Sequence, residues 1–330
     1  MSERWVLGVD IGGTNLGVGA VPYVGSGVGA LRSCPTNPQR GPDAAVEDIA
    51  RMAAAVVAEV ADAAEAAAEE APRFVGVGIG CPGPLDLKDG RIISTPNLGW
   101  GGYPIRDRIS DAVGLSASLD NDANCATYGE WWRGAAKGSR TVVGVTLGTG
   151  IGGGLIADGK LVRGASGSAG EIGHMTIDVN GRRCACGNYG CLEAYASGPN
   201  IAARAREGLE AGYRSILPDL VDGDLDRITA ATVYDALVRG DDYAREVMTE
   251  TAKMLGAGLA NLVNVFNPEI IVVVGGVTRA GGHLFEPLRA EIRRRAFRSA
   301  VDACSIVPGA LPDTAGVIGA AGVFISEAAA

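Results

Sequence analysis

Between Glu171 and Glu193 the chain sets four soft metal ligands between two carboxylates: His174 follows Glu171-Ile172-Gly173, and nine residues later comes Cys184-Ala185-Cys186-Gly187-Asn188-Tyr189-Gly190-Cys191-Leu192-Glu193. Three thiols and one imidazole complete a tetrahedral zinc shell. A closed shell of this kind is structural, because a catalytic zinc keeps one position open for water or substrate. Thiolates this close in sequence need a tight knuckle, so Gly187 and Gly190 are expected at positive φ. Ordinary buried thiols are the alternative, and compact spacing beside a histidine favours the metal. The cluster therefore closes a loop and shapes its surroundings, and any chemistry must come from elsewhere.

A chain of 330 residues has room for two domains, and its 47% hydrophobic and 20% charged content is that of a globular protein. No stretch approaches the length of a membrane span. The N-terminus runs directly into Trp5-Val6-Leu7-Gly8-Val9-Asp10, without the basic start and apolar run of a secretory signal. Cysteines number seven, and the four outside the cluster (Cys34, Cys81, Cys125, Cys304) are scattered, which reads as a reducing cytoplasm without disulfides. A net charge of −9 argues against nucleic-acid binding through the overall field. Arg293-Arg294-Arg295 reads as a solvated helix face. Fifty glycines gather in apolar segments, a pattern expected where backbone approaches a ligand closely.

Trp5 to Val9 reads as a buried strand, and after a Gly-Gly turn Asn15 to Val21 alternates like a second strand, giving a hairpin. Pro42 and Asp43 open an Ala-rich helix to about Glu70, and Phe74 to Gly80 is an apolar strand. Strand, helix, strand is an α/β unit. Ser118 to Asp120 ends another strand, Asp122 starts a helix to about Ala136, and Thr141–Leu147 with Gly153–Ala157 repeats the glycine hairpin of the N-terminus. Beyond the cluster the pattern is mainly helical: Pro199 to Gly208, Thr229 to Arg239 and Tyr243 to Phe266, then the strand Ile270 to Val274. His283, after Gly281-Gly282, belongs to a helix start. No segment is low-complexity enough for a linker. The expected division is a small α/β domain over 1–120, rejoined by a C-terminal helix over about 314–330, and a larger α/β domain over 121–313 that carries the zinc loop 171–193.

Asp10-Ile11-Gly12-Gly13-Thr14 ends the first strand with a carboxylate, two glycines and a hydroxyl. Backbone N–H groups at such a turn hold phosphate oxygens, the Thr hydroxyl adds a donor, and an Asp beside phosphates holds Mg²⁺ through water. Without a Lys, and with a strand after it, the loop is neither a Walker A loop nor a dinucleotide turn. Taken alone it reads equally as a tight hairpin. Leu147-Gly148-Thr149-Gly150-Ile151-Gly152-Gly153-Gly154 offers the same donor set again, and Gly275-Gly276 leaves room for a nucleotide ring against backbone. Together the three favour a nucleotide. At Leu119-Asp120-Asn121-Asp122-Ala123-Asn124 two compatible readings stand: Asn121 or Asp122 caps a helix, or Asp122 is a general base toward a hydroxyl nucleophile. Asn97, Asn121, Glu171 and Glu193 suit a polyhydroxylated ligand, and one ring nitrogen of His174 is free to face it if the other binds zinc.

In this order, the Asp10–Thr14 turn, Asn121-Asp122-Ala123-Asn124, the Leu147–Gly154 turn and the Gly173-His174 to Glu193 cluster resemble the ROK family of bacterial sugar kinases and sugar-responsive repressors, over nearly the whole chain. The cysteine spacing resembles its zinc-containing branch. The resemblance implies an α/β, actin-like ATPase fold of the hexokinase type, ribonuclease H-like, with two domains around a cleft. It implies ATP-dependent phosphorylation of a hexose at its primary hydroxyl, glucose foremost, with Asp122 as the base. It places Asn97, Asn121, Asp122, Glu171, His174 and Glu193 at the sugar. Gly12, Gly13, Thr14, Thr149, Gly150, Gly275 and Gly276 fall to the nucleotide, with Asp10 near Mg²⁺. His174, Cys184, Cys186 and Cys191 are the implied zinc ligands, and a homodimer or homotetramer the implied assembly. Many members carry a basic residue after the first motif's Thr, where this chain has Asn15, which weakens any further phosphate contact there. Rival acceptors are fructose, mannose, N-acetylglucosamine and N-acetylmannosamine, and polyphosphate is a rival donor. A sugar-sensing repressor is the rival from another class, and the start of the first strand near Trp5, with the acidic charge, argues against its helix-turn-helix.

Overall fold

The computed structural model describes residues 3–95 and 97–328, so the first two residues of the expected small domain and the last two of the expected final helix lie outside it. β1 (Arg4–Ile11) and β2 (Asn15–Pro22) form the expected antiparallel hairpin, Val9 facing Val18 and Ile11 facing Leu16. β3 (Ala30–Pro35) extends it antiparallel to β2. α1 (Pro42–Ala66) starts on a proline, whose missing N–H lacks a helical partner at that position anyway, and buries Ala45, Ile49, Met52, Val56 and Val60 as one stripe. It stops short of the expected Glu70. β4 (Arg73–Cys81) runs parallel to β1, and β5 (Leu85–Asp86), β6 (Arg91–Thr95) and β7 (Trp100–Tyr103) make a separate small antiparallel sheet. After α2 (Ile105–Val113), β8 (Ala117–Asn121) joins parallel to β4 and leads straight into α3 (Asp122–Arg133). The first sheet is ordered β3-β2-β1-β4-β8.

β9 (Val142–Leu147), β10 (Ile151–Ala157) and β11 (Lys160–Leu161) open a second sheet. Helices follow: α4 (Glu193–Ala196), α5 (Gly198–Glu210), α6 (Leu217–Leu220), α7 (Ala230–Val238) and α8 (Asp242–Phe266). β12 (Ile270–Val274), α9 (Gly282–Arg295), α10 (Arg298–Asp302) and β13 (Ser305–Pro308) then lead to α11 (Ala315–Ala328). The order β11-β10-β9-β12-β13 repeats the plan of the first sheet: a hairpin, a third strand antiparallel at its edge, and a parallel strand pair. The weak repeat of glycine hairpins in the sequence is thus a repeat of sheets.

Packing divides the chain into two compact units, one of residues 1–144, 154–170 and 309–330, the other of 145–153 and 171–308. In the first, α3, which follows the boundary expected near Asp120, packs along α11. The contact is close enough to exclude side chains: a Cβ at Gly319 would lie 1.6 Å from the Cys125 carbonyl oxygen, and one at Gly129 would lie 2.3 Å from that of Ala315. α11 also rests directly on strand backbone, since Cβ atoms at Gly8 and Gly78 would meet the Val317 and Ala320 carbonyl oxygens at 2.0 and 1.9 Å. Part of the glycine excess is therefore helix-on-strand and helix-on-helix contact. No helix among the described residues is long and apolar enough to cross a membrane.

Candidate functional site

In the first unit β1 carries Asp10 as its second-to-last residue, ends on Ile11 and turns through Gly12-Gly13-Thr14. The Gly12 N–H donates to the Asn15 carbonyl at 2.9 Å, while Thr36 donates its N–H to Thr14 at 2.9 Å and its hydroxyl to the Gly12 carbonyl at 2.7 Å. Thr36 carried no motif signal; it reaches the turn only because β3 pairs with β2. Parallel pairing sets Asp120 beside Gly80 and Asn121 beside Cys81, so β8 delivers the next residue, Asp122, to the N-terminus of α3. The two readings of this segment now separate. Asn121 is the cap, its Oδ1 accepting from the N–H groups of Ala123 and Asn124 at 2.9 and 3.2 Å. Asp122 is the first helical residue, where the helix dipole favours an anion, and its Oδ1 accepts from the Ala123 N–H at 2.9 Å.

Around Asp122, itself half-buried, the surroundings are acidic. Burial, then the charge of Asp122, pushes the Asp10 carboxyl up to about 7. The carboxylate lies so close to Gly316 that a Cβ there would sit 2.3 Å from Asp10 Oδ2. Burial and then neighbouring carboxylates hold the thiols of Cys81 and Cys125 well above their ordinary range, so neither is a nucleophile. Asp10 has a measurable cost. The folded chain keeps its proton up to about pH 7, whereas the unfolded chain releases it near 3.8, so stability falls as pH rises between the two. Asp10→Asn is expected to raise thermal stability in Mg²⁺-free buffer, most above pH 7 and hardly at all below about pH 3, with an upper limit of about 4 kcal/mol. Melting curves across that range check it, and a gain independent of pH counts against the raised Asp10 carboxyl.

Asn97 is exposed in the turn between β6 and β7. Buried Thr95 closes that turn, donating its hydroxyl to the Trp100 carbonyl at 3.1 Å and accepting from the Trp100 N–H at 3.0 Å.

The second unit holds the other glycine turn and the cysteine cluster. Within the turn, Gly148 N–H donates to Gly150 at 3.0 Å, the Gly198 N–H donates to Gly148 at 2.9 Å, and the Ile151 N–H donates to Glu193 Oε2 at 2.8 Å. Gly275 adopts φ 103°, and a Cβ there would come 2.2 Å from the Leu147 carbonyl oxygen, so only glycine fits. Beside the turn opens a cavity of about 670 Å³, within the usual size of small-molecule sites. Thr149 and Gly276 line it, as do Leu147, Gly148, Ala202 and Tyr234, while Arg206, Asp235 and Arg279 add charge; Gly150 and Gly275 do not line it. The contributions of α5 and α7 carried no sequence signal, because helix faces brought together by the fold leave no local pattern.

The ligand atoms of His174, Cys184, Cys186 and Cys191 lie within 4.8 Å of one another, with Cys186 Sγ 3.7 Å from Cys191 Sγ and His174 Nδ1 3.9 Å from Cys184 Sγ. Four ligands at zinc bond lengths of about 2.3 Å stand about 3.8 Å apart in a tetrahedron, so the donor set fits a metal. Burial pushes the Cys184 thiol up to about 12, so a thiolate there calls for a cation. Gly187 and Gly190 take φ 93° and 69°, as the knuckle requires. The Tyr195 hydroxyl holds the loop by accepting from the Arg182 N–H at 2.9 Å and donating to Asp178 at 3.1 Å. Glu171 is exposed, one turn before His174. Glu193 touches both features: one oxygen takes the Ile151 N–H, the other lies 3.9 Å from Cys184 Sγ.

The sequence matches the ROK family over residues 6–327. It is 37% identical over 325 residues to the glucokinase of Halalkalibacterium halodurans, which covers 97% of this chain and 94% of that protein. It is 34% identical over 274 residues to the xylose repressor of Caldicellulosiruptor bescii, covering 81% of this chain but 67% of the repressor. The crystal structure of a ROK family glucokinase from Streptomyces griseus, in complex with glucose and AMPPNP, superposes with a TM-score of 0.81 at 34% identity, covering 97% of this chain and 98% of that one.

Proposed function

This chain belongs to the ROK family, and from that premise we propose that it transfers the γ-phosphoryl group of ATP to the primary hydroxyl of a hexose, glucose being the acceptor. Its fold is the two-domain, actin-like α/β fold of the hexokinase type. The observation that carries the reading is Asp122: a carboxylate delivered by β8 to the first turn of α3, in a chain similar to a glucokinase over nearly its whole length. Phosphoryl transfer needs positioning, charge stabilisation and one base within reach of the nucleophile, rather than covalent catalysis.

In this reading Asp122 takes the proton of the sugar's primary hydroxyl as that oxygen attacks the γ-phosphorus. Asn97, Asn121, Glu171, His174 and Glu193 hold the sugar. Asn121 keeps its amide nitrogen for a hydroxyl, since its oxygen is committed to the cap. Glu193 meets the sugar through Oε1, which also lies 3.9 Å from Cys184 Sγ, while Oε2 is held by the Ile151 N–H. Gly12, Gly13, Thr14, Thr149, Gly150, Gly275 and Gly276 hold the nucleotide, and the cavity beside Thr149 and Gly276 suits its base. Asp10 stands near Mg²⁺, which when bound neutralises phosphate charge. Zinc on His174, Cys184, Cys186 and Cys191 stiffens the loop that carries the sugar contacts. The working form is a homodimer or homotetramer in the cytoplasm.

A coupled kinase assay tests the reading with glucose, fructose, mannose, N-acetylglucosamine and N-acetylmannosamine as acceptors, and with ATP, GTP and polyphosphate as donors. Glucose with ATP is expected to give the highest kcat/KM. A higher value for another acceptor or donor, or no turnover with any pair, overturns it.

A further inference from the structure

Asp120, two residues before Asp122, is a carboxylate with no exposed surface. An ionised carboxylate in such a place needs a cation and donors around it. Both are present. Arg163, in the segment after β11, brings Nε to 2.6 Å from Asp120 Oδ2, and its Nη2 lies 2.9 Å from Glu327 Oε1 on α11. The other oxygen, Asp120 Oδ1, accepts from the Asn121 backbone N–H at 2.7 Å and from Asn124 Nδ2 at 2.8 Å. Asn124 serves this carboxylate at some cost, since its own Oδ1 is buried without a hydrogen-bond partner.

These contacts point one way along the chain. Residue 119, next to Asp120 in the same strand, is a buried leucine, so burial alone does not call for a charge here. The Asp120 carboxylate reaches the backbone of the residue that caps α3 and a side chain in the first turn of that helix. Together they bracket Asp122 from both sides in sequence. We propose that Arg163 is a positioning residue for phosphoryl transfer: by pairing with Asp120 it fixes the backbone of Asn121 and the head of α3, and so the aim of Asp122. The inference rests on the reading of Asp122 as the base.

A pair of this kind also sets the local charge. The groups facing Asp122 and Asp120 are Asp10 from β1, Cys81 from β4, Cys125 from α3, Glu327 from α11 and Arg163 itself. Taking away the guanidinium leaves a buried carboxyl group without its cation, and such a group sheds its charge by taking up a proton rather than staying ionised. The net charge around Asp122 is then little changed, so the loss falls on alignment and shows in the height of the kcat profile rather than in its acid limb.

The test uses the whole chain. In Arg163→Met, kcat for glucose is expected to fall by about 10- to 100-fold through loss of alignment, while the glucose dissociation constant changes less than threefold and the acid limb stays within about half a pH unit. Asp120→Asn combined with Arg163→Met removes the pair entirely, and should give the same low kcat and the same acid limb as Arg163→Met alone. Arg163→Lys keeps the charge without the fork, so its profile should match wild type with kcat lowered by about three- to tenfold. Glu327→Gln leaves the Asp120 pair intact and should change kcat by less than about twofold.

Wild-type kcat in Arg163→Met, in a protein that Asp122→Asn inactivates, overturns the inference and leaves the base standing. If Arg163→Met does not fold, Arg163→Lys decides, and wild-type kcat at every pH overturns the inference. Full turnover in Asp122→Asn removes the base, and the inference with it.

Discussion

Asp122→Asn is expected to lower kcat for glucose by about a thousandfold, the range associated with loss of a general base, while the glucose dissociation constant stays within about threefold. The substitution is nearly isosteric. The amide oxygen can still accept the Ala123 N–H, and the α3 cap belongs to Asn121, so the helix start survives the change. What the amide loses is the capacity to take a proton. A thousandfold loss corresponds to about 4 kcal/mol of transition-state stabilisation. The residual rate reflects nucleotide positioning and charge neutralisation, which the substitution leaves in place. Steady-state kinetics beside calorimetric glucose binding separate the two quantities. Near-normal turnover takes the base role from Asp122, whereas parallel losses in kcat and binding point to a sugar contact instead.

The parts of this molecule that the sequence made legible are those in which neighbouring residues do the whole job. The β1–β2 hairpin reads from alternation around two glycines, and the cysteine knuckle from ligand spacing. α8 ends where expected because Asn267 takes a left-handed conformation just before Pro268. α1 was harder to bound, since alanines and glutamates continue past its end at Ala66 without a stop signal until Pro72. β3 and the β5–β7 sheet were missed. Arg32 and Ser33 of β3 are exposed and polar, and β5 has only two residues, so neither leaves a periodic trace.

Glycines show the same limit from the other side. Their excess signalled close approach, but the approaching backbone is often the chain's own: Gly8 and Gly78 face α11, while Gly275 faces the Leu147 turn. Tyr234 in the cavity and Arg163 behind Asp120 were out of reach of motif reasoning. Arg163 lies 43 residues from its partner, and nothing local distinguishes it from a surface arginine.

Metal analysis of the purified protein is expected to find about one zinc per chain, and Cys184→Ser to lose it, because a serine hydroxyl in place of the thiolate leaves three protein ligands. The effect should be large. Apparent zinc-binding energies at structural sites of about 10–16 kcal/mol rival the whole stability of an ordinary domain. Here the loss should stay local, since the second unit has its own apolar core in β12, α8 and α9. Segment 171–193 has little of that kind to fall back on: its buried side chains are chiefly Ile172, Leu192 and the thiols of Cys184 and Cys191. Without metal, Glu171, His174 and Glu193 lose their placement together. Glucose affinity should therefore fall by more than about tenfold. Nucleotide affinity should fall less, through the hydrogen bond from the Ile151 N–H to Glu193. Treating the wild-type protein with a strong chelator should reproduce both losses, and restoring zinc should reverse them. Fully active protein purified without bound metal excludes zinc from this role, and a greater loss of nucleotide than of glucose affinity shifts the loop's role from the sugar to the phosphate turn.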